Sequence, residues 1–195
     1  RLARALDYVG AGTMEFLVDL DREAFSFLEV NTRVQVEHPV TELITGVDIV
    51  QAQVRIATGE KLWLKQKDVT FKGHAMECRI NAEDPFKFTP CPGRISNWHM
   101  PGGPGIRVDS HAYNGYTVPQ HYDSMIGKLI AFGDTRDQAI RRMRIALSEM
   151  VIEGIKSNIR LHQELMQDGG FVGGGTSIHY LEQKLATQVP ETKDR

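Results

Sequence analysis

Cysteine is nearly absent. Cys78 and Cys91 are the only two among 195 residues, and neither belongs to a CxxC pair. Two isolated thiols exclude a disulfide framework and fit a reducing, cytosolic setting. Long apolar runs are missing as well: nothing approaches the roughly 18 apolar residues of a membrane-spanning helix, and no charged-then-apolar leader opens the chain. Charge of one sign is also lacking, because 23 Lys and Arg stand against 25 Asp and Glu, for a net −2 and a pI near 6.4. The chain therefore offers no basic field for a polyanion, and neither nucleic acid nor membrane is an expected partner, while small anions remain open. None of the seven histidines has a partner at metal-ligand spacing. The group Gly169, Gly170, Gly173, Gly174 and Gly175 forms no GxxxxGK[ST] cradle and reads as a loop.

What remains is a globular composition long enough to bury a sizeable core, as one large domain or two small ones. The chain starts at Arg1, without an initiator Met and inside a helical pattern (Leu2, Leu6, Val9), and reads as a piece of something longer. That helix is expected to run to Val9. Gly10 to Thr13 break it, and Met14–Leu20 and Ala24–Asn31 read as a hairpin turning over Asp19–Glu23. Pro39 and Thr41 open a short helix that Gly46 interrupts, and Asp48 caps a second over Ile49–Ala57. Residues 63–71 form a charged connection and a soft boundary.

Beyond it, short strands alternate with Pro/Gly punctuation at 75–81, 94–100, 106–110 and 125–132, which predicts a compact antiparallel sheet or barrel. Thr135–Gln138 reads as a capping box, and the helix it starts carries Ile140, Met143, Leu147 and Met150 or Val151 as its apolar stripe. Arg136, Arg141, Arg142 and Arg144 lie mostly off that stripe, and a solvated face explains them better than a phosphate site. Helices are expected at 158–167 and 177–185, with a frayed tail from Ala186. The fold class is thus α+β.

The stretch from Glu29 to Pro39 carries the chemistry. As one strand it would place Glu29, Asn31, Arg33, Gln35 and Glu37 on a single face, with Glu29 and Glu37 roughly 26 Å apart at about 3.3 Å per residue. That is too far for one small site. The strand is therefore expected to end near Asn31 or Arg33, with Arg33 to Glu37 on a loop. The hairpin would bring Glu15 beside Glu29 and Asn31, three oxygen donors that suit a hard cation such as Mg²⁺. Three solvated polar side chains on a hairpin remain an equal reading of those residues alone.

The run EVNTRVQVEHPVTE, preceded by GTMEFL and followed by MECRINAEDP, HYDSMIGKL and IEGIKSN, resembles the biotin carboxylases, a family of ATP-grasp enzymes. The similarity keeps register from about Gly10 to Leu185. It implies a division into residues 1–68, the C-terminal part of an ATP-grasp lobe (antiparallel sheet with helices), residues 74–185, the biotin carboxylase C-terminal domain (antiparallel β with C-terminal helices), and a tail at 186–195. It implies Mg²⁺ or Mn²⁺ on Glu15, Glu29 and Asn31, with ATP held through the metal. Arg33, Gln35, Val36 and Glu37 fall on the family's bicarbonate and biotin site, Glu37 as general base, and Arg79 falls on its contact to the biotin ureido oxygen.

Within the family, NTR-x-QVEHPV and YDSMIGKL are most similar to the biotin carboxylase subunit of bacterial acetyl-CoA carboxylase, since pyruvate carboxylases usually read NPR and EHT there. The implied partners are a biotin carboxyl carrier protein, carboxyltransferase subunits and a second copy of the chain, though Pro104 stands where relatives can carry an aromatic residue near Arg107. The family's N-terminal domain and lid do not precede Arg1, so the piece alone is expected to be inactive. Two other readings are a carbamoyl-phosphate-synthetase-like ATP-grasp, whose signature after the asparagine differs, and a scaffold for dimerisation or docking. A biotin carboxylase serving another acyl-CoA is a third.

Overall fold

The computed structural model describes residues 2–188. The chain divides into two compact units, Arg1–Ala75 and Met76–Arg195.

The first unit opens with a single helical turn, α1 (Leu2–Ala5). It stops short of Val9 because Asp7 takes a left-handed φ of 47°, and the Tyr8 hydroxyl folds forward to donate to the Ala11 carbonyl at 2.6 Å. Strands β1 (Thr13–Asp19) and β2 (Ala24–Asn31) then form the antiparallel hairpin. Its loop is an Asx turn, in which Asp19 Oδ1 accepts from the Asp21 and Arg22 amides at 3.1 Å each. The register slips by one between Glu15↔Glu29 and Phe16↔Phe27, so Leu28 is an extra residue in β2.

Helix α2 (His38–Thr45) ends on Gly46 in the left-handed region. Helix α3 (Ile49–Ala57) is capped by Asp48, whose carboxylate accepts from the Gln51 amide at 2.7 Å. A 3₁₀ turn at Gln66–Asp68 occupies the connection. Burial here is thin: among the described residues of this unit only Pro39, Glu42 and Ala52 are buried.

The second unit holds the core. Strand β3 (His74–Asn81) runs into it from the first unit's end, and β8 (Met125–Gly133) lies between β3 and β6 (Ile106–Ser110). As the middle strand, β8 is covered on both faces, with Ile126, Leu129, Ile130 and Ala131 at 1% exposure or less, which explains why its sequence is apolar apart from Lys128, whose ammonium lies 3.6 Å from Asp109. The segment expected as one strand at 94–100 is two, because β4 (Gly93–Arg94) pairs with β7 (Thr117–Val118) while β5 (Asn97–His99) pairs with β9 (Val151–Glu153). Ile95 separates them, fully buried.

Helix α4 (Arg136–Glu149) presents Ile140, Met143, Leu147 and the following Met150 to this core, with Ala139 and Ala146 beside them. Thr135 caps it by accepting from the Gln138 amide. The returning arm from Gln138 goes one residue further back than a capping box requires, to the Asp134 amide at 2.6 Å.

Arg141 is exposed, as a solvated face predicts, but the other three arginines of α4 are held by backbone carbonyls. Arg136 donates to the Phe171 and Val172 carbonyls, Arg142 to Phe132 O and Arg144 to Met166 O, so three of the four tie α4 to backbone carbonyls of other segments. After α5 (Ile159–Leu165) the glycine group is not a plain loop. Asp168 caps a short helix, α6 (Gly169–Gly173), and also accepts from the Tyr180 hydroxyl and Lys184 Nζ of α7 (Tyr180–Gln188). Helix α7 passes Ala186, where the tail was expected to begin; residues 189–195 of that tail, and Arg1 of the first helix, lie outside the described residues.

Candidate functional site

Glu15 and Glu29 face each other across the hairpin, and Asn31, two residues beyond Glu29, shares their face. The Asn31 amide donates to both carboxylates, at 2.9 Å to Glu15 and 3.1 Å to Glu29. Gln35 Nε2 donates to the same Glu15 oxygen at 3.3 Å. Two carboxylates directly opposed repel one another unless something positive or a donor stands between them. Here two amides do.

The set suits a hard cation, which takes carboxylate and amide oxygens and leaves positions for water or phosphate. An Asn amide presents its oxygen instead of its nitrogen by a half turn about its last bond. Among the described residues no group of three or more His, Cys, Asp or Glu comes together. The donor set is therefore two carboxylates and an amide, not a zinc-type cluster.

Strand β2 ends at Asn31, and Arg33 to Glu37 follow as loop, so the polar residues leave the sheet before the 26 Å extended separation is reached. Arg33 and Glu37 are exposed, and Gln35 and Val36 are partly covered. Glu37 occupies the N-cap position of α2, yet its side chain makes no capping hydrogen bond. Arg33, Gln35 and Glu37 line an open cleft of about 520 Å³ together with residues 10–13 and His38, Thr41 and Ile49. Gly12 packs closely there: a Cβ would stand 3.2 Å from the Asn31 carbonyl and 3.3 Å from the Tyr8 ring, so a side chain would have to push one of them aside by a few tenths of an ångström.

Sequence reasoning missed His38. Its Nδ1 lies 2.6 Å from the Gln35 carbonyl, which also accepts from the His38 amide, so the imidazole donates from Nδ1 and holds the loop in its turn. The signal was its place in the run EHP, inside the stretch already singled out. Arg79 lies in the second unit, on β3, exposed between Cys78 and Ile80, which point into the core. Its carbonyl accepts from Asn158 Nδ2 at 3.0 Å and lies 2.8 Å from His162 Nε2. Burial lowers the pKa of His162 although the Arg79 carbonyl and Glu83 oppose the shift, so the neutral imidazole with its proton on Nε2 is the donor at neutral pH.

Residues 77–183 match the family described as biotin carboxylase C-terminal domain, and residues 1–65 match the ATP-binding domain of the carbamoyl-phosphate synthase L chain. The fold is shared with biotin carboxylase ATP-grasp structures. The biotin carboxylase subunit of pyruvate carboxylase superimposes with a TM-score of 0.90 at 47% identity, over 97% of this chain and 42% of that one. The biotin carboxylase domain dimer of Hydrogenobacter thermophilus 2-oxoglutarate carboxylase, solved with MgADP, ADP and bicarbonate, gives 0.88 at 48% identity, over 93% and 40%.

The chain belongs to the biotin carboxylase family. Among curated relatives, the biotin carboxylase of Haemophilus influenzae is 62% identical over 180 residues, 92% of this chain and 40% of that protein. The chain spans about 40% of the length of the curated relatives it matches. No helix among the described residues is long and apolar enough to cross a membrane.

Proposed function

We propose that the full-length protein carrying this sequence is an ATP-dependent ligase that activates bicarbonate as carboxyphosphate and carboxylates biotin on a carrier protein. The observation that carries this is the bridged pair Glu15 and Glu29, tied through Gln35 to the loop that presents Arg33 and Glu37 to an open cleft. Glu15, Glu29 and Asn31 would hold Mg²⁺ or Mn²⁺. The metal, when bound, offsets triphosphate charge and aligns the γ-phosphate for attack.

Arg33 holds bicarbonate through paired hydrogen bonds, and Glu37 takes its proton as it attacks the γ-phosphorus, releasing ADP. Gln35 and Val36 complete the bicarbonate and biotin site. Carboxyphosphate then yields CO₂ and phosphate, which accepts the biotin N1′ proton. Arg79 stabilises the enolate-like ureido oxygen that develops. Residues 1–68 would be the C-terminal part of the ATP-grasp lobe, 74–185 the C-terminal domain and 186–195 a tail.

The 62% identity to the biotin carboxylase of Haemophilus influenzae supports a role in acetyl-CoA carboxylation, the first step of fatty-acid synthesis, in the cytoplasm. The partners would be a biotin carboxyl carrier protein, carboxyltransferase subunits and a second copy. Without the remaining length of its relatives, this chain would lack most phosphate and adenine contacts and be inactive. The test is bicarbonate-dependent ATP cleavage with Mg²⁺ and free biotin, run on this chain and on the full-length protein. Turnover in the full-length protein alone is expected, and none in either would overturn the assignment.

A further inference from the structure

Strand β3 is an edge strand, and its outer edge is closed by side chains. Asn158, 5% exposed at the N-cap of α5, behaves there like a residue of a neighbouring strand. Its Oδ1 accepts from the Asn81 amide at 2.9 Å, its own amide donates to Asn81 O at 3.2 Å, and its Nδ2 donates to Arg79 O at 3.0 Å. These three bonds leave no choice in the orientation of the Asn158 amide. One turn later on α5, His162 supplies a second donor to Arg79 O at 2.8 Å. Glu83 accepts from the Asn81 side chain (Nδ2) at 3.2 Å and from the Ser124 hydroxyl at 3.2 Å, and ties the edge to the segment before β8.

One carbonyl held by two side-chain donors fixes the plane of the peptide that follows Arg79. Cys78 at 3% exposure and Ile80 at 0% lock the neighbouring residues into the core. Together these constraints set the direction of the Arg79 Cα–Cβ bond, and hence where its guanidinium is presented. An edge carbonyl could be satisfied by water if folding were the only need.

We propose that Asn158 and His162 are positioning residues for Arg79: through its carbonyl they aim the guanidinium at the developing ureido oxygen of biotin. The proposal rests on the assignment of Arg79 to the biotin site. It predicts a defect confined to the biotin half-reaction, because the side-chain bonds of Asn158 and His162 go to Arg79, Asn81 and Glu83 and not to the residues that serve the bicarbonate step.

The test compares H162L, H162Q and R79A in the full-length protein, reading kcat and KM for free biotin beside biotin-independent, bicarbonate-dependent ATP cleavage. His162→Leu should lower biotin carboxylation about tenfold, the size of a small misplacement of a reacting group, with ATP cleavage within about twofold of the parent. His162→Gln, which can place an amide donor where Nε2 stands, should recover most of the loss. If H162L does not fold, His162→Phe fills the imidazole's space without a donor and is read in the same way. Parallel loss of both activities would mean a structural role and overturn the proposal. A defective R79A beside an unchanged H162L would overturn this proposal alone, whereas an unchanged R79A would overturn the biotin assignment and this proposal with it.

Discussion

Glu37 stands at the N-cap of α2 without capping it. A good N-cap side chain accepts amides of the first turn, and Glu37 makes no such bond, so α2 starts on its backbone and Pro39. Replacing Glu37 by Gln, which keeps the side chain's size and one acceptor oxygen, should leave the thermal midpoint of the full-length protein nearly unchanged while carboxylation falls by about 10²–10⁴, the usual contribution of a general base. A matching fall in both would mark Glu37 as structural instead. The two cysteines separate in the same way. Burial pushes the Cys78 thiol up to about 12, with Glu77 adding to the shift, while Cys91 is only half-covered. A thiol-disulfide reagent at pH 8 should label one cysteine in the native chain and the second only after denaturation; fast labelling of both would contradict the packing of β3. Asp84 gives a pH dependence. Lys156 Nζ at 2.9 Å, then the Lys87 and Phe86 amides, hold its carboxyl down at about 2. A depressed carboxylate contributes stability above its unfolded pKa, near 3.9, and loses it as pH falls towards the folded value. D84N should thus be less stable than the parent at pH 7, by a modest margin because Lys156 is 66% exposed, and the difference should vanish as pH falls through about 2.

At the scale of elements, the bulge at Leu28 does what alternation could not. Phe25, Phe27, Glu29 and Asn31 are all two apart, so an unbroken strand would put aromatics and polar groups on one face. The extra residue sends Phe25 and Phe27 to the side of Phe16, where the rings meet edge to face at 5.6 and 5.9 Å, and Glu29 to the side of Glu15. Deleting Leu28 should leave a regular ladder in which Phe27 still faces Phe16 and Glu29 still faces Glu15, so bicarbonate-dependent ATP cleavage in the full-length protein should be retained; its loss would show that the bend at the bulge, and not the pairing alone, positions the carboxylates. The hairpin, its loop and the polar residues were legible because hydrophobic pattern and turn residues declare themselves locally. The bulge was not, since nothing in a strand's own sequence states which partner residue it faces. Three of the α4 arginines were misread for the same reason. A helix pattern reveals that they leave the apolar stripe, whereas the carbonyls they bond come from 10 to 36 residues away.

Across the whole molecule, the two units differ in how much they bury. The second has a continuous core running from Cys78 to Met166, in which Leu147 and Met143 are fully enclosed. The first leaves Leu17, Val18, Leu20, Phe25, Phe27 and Leu28 more than half exposed on its hairpin. A two-stranded hairpin is marginal in water, so amide exchange on this 195-residue chain should be slow in β8 and α4 and fast in β1 and β2. Slow exchange throughout the hairpin would contradict that ordering. Leu147→Ala should cost the second unit about 2–5 kcal/mol, through lost transfer energy and a residual cavity, read from its denaturant midpoint. The sequence by itself determined the α+β class, the hairpin, the buried stripe of α4, the ending of β2 at Asn31 and the family. All of these follow from periodicity, turn chemistry and motifs read within a few residues of one another. Only the tertiary structure decided that 94–100 splits between two ladders, that Gln35 joins the Glu15 pair, and that Asn158 and His162 grip the Arg79 carbonyl from about 80 residues away. Those arrangements depend on which distant backbone groups must find hydrogen-bond partners once the core closes, and that demand exists only in the folded chain.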